Sequence, residues 1–352
     1  MDETKMSRRD AFGVAGGLAG AGLALGAGLT ASEAQAAAPK KPLGKPKVDF
    51  VTKIDFKDPK WCRDTYARLD ADLDPTKVKC GWIKGKVYSV RPNEKVRPLF
   101  LAEGFSFVRM HRTEDGSWRR LLREVVFYRD LETGKLMDEW KNPFTGETVK
   151  VVPIANDPFN FTIGEYAPEP PSYGGLNKDK PPRRPFLLDC EYGPTGNIIV
   201  RSDVDLFYPS ALQPGQWPRE SAGVMNQVSE HFIYSFKAED AANPHLTALP
   251  YTGAWNRITP WLPWMMMGQA EGNLNYFTYF QTVPNGVAGL PADLVAKARA
   301  MGDKWLTAPE TDYGPSLSSL ENYAHQQKPS AVPAGWTQPA TPAAAKPFPP
   351  KP

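Results

Sequence analysis

The segment LFLAEGFSFVRMHRTEDGSWRRLLREVVFYRD, residues 99–130, contains the pattern that decides the fold of this chain. Two runs rich in β-branched and aromatic residues, 99–111 and 118–130, flank the polar link RTEDGS. Extended runs joined by a short turn that contains Gly are typical of a β-hairpin. We therefore predict an antiparallel strand pair here, as the centre of an all-β domain.

The same pattern continues on both sides of this hairpin. The predicted strands, in chain order, are 81–90, 99–111, 118–130, 148–154, 186–192, 197–208, 229–237 and 274–281. About eight strands are enough to close a small barrel. We expect a mainly antiparallel, calycin-like β-barrel with a few short helices, at 59–73 and 291–305, and long loops. Two packed sheets are the alternative architecture.

The two ends of the chain differ in composition from its body. Paired arginines, Arg8 and Arg9, precede an apolar Gly/Ala-rich run at 11–29, and Ala34-Gln35-Ala36 offers a small-residue cleavage site. This order resembles a twin-arginine signal, although Ala11 stands where that motif has Phe. We predict export to the periplasm by the twin-arginine machinery, with a retained membrane anchor as the alternative. The predicted divisions are a signal peptide at 1–36, a linker at 37–56, one β-barrel-like domain at 57–326 and a disordered Pro/Ala-rich tail at 327–352.

Charge and cysteine usage exclude several classes of protein. Lys and Arg number 42 against 39 Asp and Glu, so the net charge of +3 gives no sign of a nucleic-acid partner. The three cysteines show no CxxC spacing, and the four histidines lie far apart. The sequence contains no phosphate loop and no nucleophile elbow. We therefore predict neither a metal nor a cofactor.

Charged residues alternate with aromatic ones along the predicted strands. In the second strand Glu103, Phe105 and Arg109 share one face, which is typical of a ligand-lined lumen. A carboxylate buried there would have a raised pKa and would be suited to general base chemistry. The alternative is that each charge forms a cross-strand ion pair. Register stays open, since a slip of one residue exchanges Arg123 for Glu124 as the inward group.

Two further stretches combine aromatic residues with polar ones. Residues 139–160, EWKNPFTGETVKVVPIANDPFN, predict turn, strand and turn, with Asn and Asp side chains at the strand ends. These side chains serve either a binding site or only their own turns. Residues 255–268, WNRITPWLPWMMMG, hold three Trp and three Met and predict either a plug or an aromatic wall.

These stretches also carry a resemblance. On residues 121–160 and 255–268, and over about 60–325, the chain resembles the family catalogued as domain of unknown function 1838, many of whose members look exported. The resemblance implies a β-barrel-like fold. It further implies a relation to proteins of lignin-degrading bacteria that release a hydroxymethyl group of an aromatic dimer as formaldehyde and leave a stilbene. We expect a cofactor-independent carbon–carbon lyase acting on a phenylcoumaran-type dimer.

Such a lyase needs a base, donors for a developing oxyanion, and walls for aromatic rings. Chemistry and strand parity select the catalytic candidates, which are Glu103, Arg109, Arg123, Glu124, Tyr128 and Asp157. The candidates for substrate binding are Trp140, Asn142, Asn156, Asn160, Arg257, Trp261 and Trp264. The alternatives are a non-catalytic periplasmic binding protein for aromatic or apolar molecules, and a hydrolase, isomerase or oxidoreductase acting on such molecules.

Overall fold

A computed structural model of the protein describes residues 48–168, 183–312 and 316–343. The predicted signal peptide at 1–36 and the first part of the predicted linker, 37–47, lie outside the described residues. Within the described ranges no helix is both long enough and apolar enough to cross a membrane.

The described residues form many strands and few helices. The strands are β1 Lys79–Val90, β2 Arg97–Arg112, β3 Trp118–Arg129, β4 Glu139–Lys141, β5 Thr148–Lys150, β6 Ile154–Asn156, β7 Phe161–Ile163, β8 Asp189–Tyr192, β9 Asn197–Pro209, β10 Met225–Lys237, β11 Thr252–Thr259 and β12 Asn273–Thr282. The α-helices are α1 Pro59–Asp70, α2 Ala238–Ala241, α3 Ala292–Met301 and α4 Ser319–Gln326. Both β11 and α4 are absent from the sequence-based prediction.

Ten of these strands form one sheet in the order β6-β3-β2-β1-β12-β11-β10-β9-β8, with β7 also paired to β3. Every pairing is antiparallel, so the all-β prediction is confirmed. The order has two ends, so in the described residues the sheet does not close into the expected barrel. The strands at these ends have only three or four residues, and Pro153 and Pro158 beside β6 cannot donate ladder hydrogen bonds.

The two faces of the sheet have different neighbours. The inner face carries Glu124 and Tyr128 of β3 and joins the main hydrophobic core. The outer face carries Glu103 and Phe105 of β2 and packs with α3 in a second, smaller cluster. The prediction that the Glu103 face lines a lumen is therefore wrong. Because α3 covers the outer face, aromatic residues are buried on both sides of these strands, and their alternation alone could not identify the inner one.

Helix α1, which confirms the helix predicted at 59–73, is buried along ten consecutive residues. It begins at Pro59, where the Asp58 side chain caps the first turn. Its last residue, Asp70, lies against Arg120 of β3 at 3.1 Å, and both side chains are almost fully buried. We call this half of the interior, built from α1, Arg120 and Asp70, the plugged end.

The predicted linker and tail are ordered wherever they are described. The Val51 amide donates to Asp64 at 2.8 Å, so residues 48–56 pack onto α1. In the tail, Arg91 donates to the Ala340 carbonyl at 2.8 Å, and the Trp336 ring lies near Arg219. The predicted disorder therefore does not extend to residues 327–343, because these aromatic and backbone groups have partners on the domain.

Candidate functional site

A cavity of about 180 Å³ lies in the other half of the interior, which we call the open end. Its walls come from the inner faces of β3, β9, β10 and β11, from the loop at 260–264 and from α4. Along β3, Trp118 and Arg120 serve the plugged end, while Glu124, Val126 and Tyr128 line the cavity. A single strand therefore supplies both halves of the interior.

Glu124 forms one side of the cavity and is 8% exposed. The Asn156 side chain donates to Oε1 of Glu124 at 2.5 Å. Oδ1 of Asn156 in turn accepts from Asn322 of α4 at 2.9 Å. This chain of contacts fixes the carboxylate against β6 and holds α4 in place as a wall of the cavity.

Helix α4 begins with a complete capping box. The Ser318 side chain accepts from the Glu321 amide, and the Glu321 carboxylate accepts from the Ser318 amide. The helix presents Leu320, Asn322 and Tyr323 to the cavity. Local sequence therefore specifies where this wall begins.

Tyr128, Trp255, Arg257 and Trp264 also line the cavity, and we call this group the floor. The ring centroids of Tyr128 and Trp264 are 5.2 Å apart, and those of Trp255 and Tyr276 are 5.7 Å apart. Burial raises the pKa of both tyrosines, so their hydroxyls are protonated near neutral pH. Protonated hydroxyls and indole N–H groups can all donate hydrogen bonds.

Several of these donors make no hydrogen bond of normal geometry with the described residues. The hydroxyls of Tyr128 and Tyr276 and Nε1 of Trp255 and Trp264 are buried, and none meets normal hydrogen-bond geometry within the described residues. The polar atoms of Tyr276 and Trp264 do approach the Tyr128 hydroxyl closely enough to influence its pKa. Buried donors without partners cost free energy, which a ligand oxygen would recover.

Arg257 supplies the charge at this floor. Its Nε lies 3.3 Å from Oε1 of Glu230, outside normal hydrogen-bond alignment. Burial lowers the pKa of Arg257, but Glu230 and the neighbouring tyrosines raise it by more, so the guanidinium stays charged. The cavity is thus lined by the Glu124 carboxylate and, at the floor, by a cation with aromatic donors. Glu124 and Tyr128 are four residues apart on β3, about 13 Å along the strand.

The structure brings together only part of the predicted site. The predicted residues that line the cavity are Glu124, Tyr128, Arg257, Trp261 and Trp264. Asn156 reaches the cavity through Glu124, and Trp140 packs edge-on behind Trp264 with centroids 5.6 Å apart.

Four predicted catalytic residues point away from the cavity. Glu103 pairs with Arg129 on the outer face and accepts from the Trp82 indole at 2.9 Å. Arg109 donates to the Pro75 carbonyl. Arg123 pairs with Asp157 at 2.6 Å, and Asp157 also contacts Lys304. The structure gives these groups ionic or backbone partners, and the sheet separates them from Glu124.

The remaining two asparagines hold loops. Asn142 donates to the Met265 carbonyl at 2.7 Å and accepts from the Phe144 amide. Asn160 accepts from the Leu122 amide at 3.3 Å and donates to Asp312. They therefore shape the segments around the cavity without lining it.

Sequence reasoning missed several lining residues, including Glu220, Asn226, Glu230, Trp255 and Asn322. Two signals pointed to some of them. Glu230 alternates with Phe232 and Tyr234 on one face of a strand, and the Ser318-x-x-Glu321 pattern marks the start of α4. In the described ranges no three His, Cys, Asp or Glu side chains are grouped so that they could hold a metal ion.

Sequence comparison relates the chain to a protein family. No curated protein matches the chain at a significant level. Residues 77–327 match the family described as protein of unknown function (DUF1838). The match covers all twelve strands and α4, and therefore every residue that lines the cavity, but it begins after α1. The chain therefore belongs to this family of proteins of unknown function, DUF1838.

Proposed function

We propose that this protein is a carbon–carbon lyase that acts on a phenylcoumaran-type aromatic dimer by acid–base catalysis in the cavity of the open end. One observation carries the proposal, namely that a buried carboxylate and a cluster of buried donors face the same aromatic-lined cavity from different sides. A fragmentation needs a base where a proton leaves and donors where negative charge develops.

In the proposed reaction Glu124 removes the proton of the hydroxymethyl O–H. The bond between the hydroxymethyl carbon and its neighbour breaks, and formaldehyde leaves. The released electron pair forms the stilbene double bond while the adjacent ether C–O bond of the fused ring opens. The new phenolate then takes up the proton. The products together contain every atom of the substrate, so the reaction requires no oxidant or reductant.

Negative charge develops on the phenolate oxygen as the ether bond breaks. Arg257 and the Tyr128 hydroxyl supply a cation and a protonated donor for that oxygen. Interactions that strengthen as charge develops lower the barrier, whereas equal binding of substrate and transition state does not. The floor is therefore the proposed oxyanion site.

Cavity size limits how a dimer is bound. The volume of about 180 Å³ slightly exceeds that of a cavity known to hold benzene, about 150 Å³. It accommodates one substituted ring. A dimer would therefore place its second ring outside this volume.

Formaldehyde release from a phenylcoumaran dimer tests the proposal directly. The wild-type protein should release formaldehyde and stilbene in equal amounts, and Glu124→Gln should lose most of the rate. Glu139→Gln, which changes an exposed carboxylate on β4, is the matched control and should retain it. Equal rates for wild type and Glu124→Gln would eliminate Glu124 as the base.

The runner-up is a binding protein for small aromatic molecules, which the apolar walls of Val126, Phe232 and Leu320 favour. Dimers that bind at this cavity without releasing formaldehyde, across several substitution patterns, would support it over the lyase.

A further inference from the structure

The charges around the cavity are unbalanced. Three acidic side chains, Glu124, Glu220 and Glu230, line it, and Arg257 is the one basic side chain among the described lining residues. Glu220 is 3% exposed, and its Oε2 has no hydrogen-bond partner in the part of the chain that the structure describes. At formal charges the lining carries an excess of two negative charges. A ligand with a carboxylate would add a third.

The floor, in contrast, presents hydrogen-bond donors to the cavity. If the Tyr128 and Tyr276 hydroxyls satisfy one another, one hydroxyl hydrogen still remains, together with the N–H groups of Trp255 and Arg257. Glu230 is the carboxylate nearest to Arg257, and its alignment with the Arg257 Nε–H is poor. The floor therefore offers one hydroxyl hydrogen and two N–H groups to an oxygen atom that accepts.

We propose that the cavity selects neutral aromatic ligands, which place an uncharged acceptor oxygen (phenolic, ether or carbonyl) on the floor formed by Tyr128, Trp255 and Arg257, and that it rejects aromatic carboxylates. This inference rests on the proposed function in that it takes the same cavity as the ligand site, and it specifies the class of ligand.

The physical basis is that donors and charge act at different ranges. A hydrogen bond to the floor needs only a lone pair at contact distance, which a neutral oxygen provides. A full negative charge is also repelled by the three carboxylates across the cavity, because less bulk water is present there to screen the repulsion. Because Arg257 is already paired with Glu230, it offsets only part of that repulsion.

Isothermal titration calorimetry with 4-hydroxybenzamide and 4-hydroxybenzoate tests this selection. The two probes have nearly the same shape and differ in charge. We expect the amide to bind at least tenfold more tightly than the carboxylate at pH 7. Equal affinities, tighter binding of the carboxylate, or no detectable binding of either probe would overturn the proposal.

Substitutions at the cavity assign the selection to named groups. Glu230→Gln removes one negative charge. It should reduce the ratio of the amide affinity to the carboxylate affinity at least fivefold, because the carboxylate then binds more tightly. Trp255→Phe removes one donor while keeping an aromatic ring at this position, and it should weaken binding of the amide about threefold to tenfold. Glu139→Gln should change neither affinity. If Glu230→Gln leaves the ratio of the amide and carboxylate affinities unchanged, the assignment is wrong. If that variant does not fold, the same measurement is made on Glu220→Gln.

The binding result and the turnover result can be separated. Selection of the amide without formaldehyde release from any dimer would reject the lyase and retain this inference. Formaldehyde release together with a preference for the carboxylate would retain the lyase and reject this inference.

Discussion

The two ends of the interior use the same kinds of residue for different purposes. At the plugged end Arg120 lies 3.1 Å and 3.2 Å from the two Asp70 oxygens, and α1 fills the space beside them. At the open end Arg257 meets Glu230 at 3.3 Å in poor alignment, beside a cavity of about 180 Å³. In the described part of the chain, buried hydroxyls that meet no normal hydrogen-bond geometry occur at both ends, as Tyr251 and Tyr128 illustrate. Buried charge therefore does not identify a site by itself, and what distinguishes the open end is buried charge beside a cavity.

The largest expected effect belongs to the open end. Glu124→Gln should lower the rate of formaldehyde release by about 10²-fold to 10⁴-fold, because a general base contributes about that much. Its free energy of unfolding should change little, since Gln can still accept from Asn156. Steady-state kinetics and urea denaturation measure the two effects. A variant that is strongly destabilised but fully active would mean that Glu124 belongs with the structural charges.

At the plugged end the corresponding loss should be one of stability. Arg120→Met leaves Asp70 buried without its cation and should lower the free energy of unfolding by about 3–5 kcal/mol. Chemical denaturation measures this loss. The matched variant Arg257→Met should lose less than half as much, because the Arg257 side chain keeps 19% of its exposure. Equal losses of unfolding free energy in the two variants would show that the buried arginine stabilises both ends alike.

Matched tyrosines allow a finer test. Tyr128→Phe removes a donor from the proposed oxyanion site and should lower the rate about 100-fold, as loss of one such donor does elsewhere. Tyr251→Phe removes a hydroxyl at the plugged end that is buried and makes no hydrogen bond with the described residues, and it should leave the rate unchanged. Neither variant should be much less stable, because no hydrogen bond of normal geometry is lost. If both variants lose activity alike, the floor has no special role.

The plugged end should also show a pH dependence of stability. Burial lowers the pKa of Lys79 from 10.5 to about 7, although Asp70 and Asp72 oppose this. Between pH 7 and 9 the unfolded chain therefore holds more of this proton than the folded protein, so the free energy of unfolding should rise with pH. Urea denaturation across that range measures the slope. Lys79→Met should flatten it, and an equally steep slope in that variant would assign the effect to another group.

The smallest effect is expected on the outer face, one residue from Glu124. Arg123→Met breaks the pair with Asp157 and should cost about 1 kcal/mol, because Lys304 still pairs with Asp157. The rate of formaldehyde release should not change. A large loss of activity would show that the outer face takes part in the reaction.

Much of the fold could be predicted from the sequence. The hairpin at 99–130 appears as β2 and β3, and the later strands agree with the prediction to within a few residues. Strand alternation and turn residues are local signals, so strands can be predicted from them without knowing which strands pair. Strand β11 was missed because its Trp and Arg were interpreted as part of a loop with the methionines that follow.

The site was harder to predict because it depends on which face of each strand is covered. Glu103 and Glu124 lie on neighbouring strands in similar aromatic surroundings, yet α3 covers one and the cavity lies beside the other. Nothing within β2 or β3 indicates that a helix about 170 residues later packs on the outer face. Arg257, Trp261 and Trp264 were found because the aromatic cluster is compact in sequence.

The contact between Asn156 and Asn322 joins residues 166 positions apart and completes the wall of the cavity. Helix α4 leaves the ribosome after β3 and β10. A nascent chain that has formed β3 and β10 thus presents an open groove, and the cavity gains its α4 wall only when α4 has been synthesised. Pairings over such separations form slowly, because the loop must close before the contact is made. Synthesis through α4 is therefore a condition for completing the cavity.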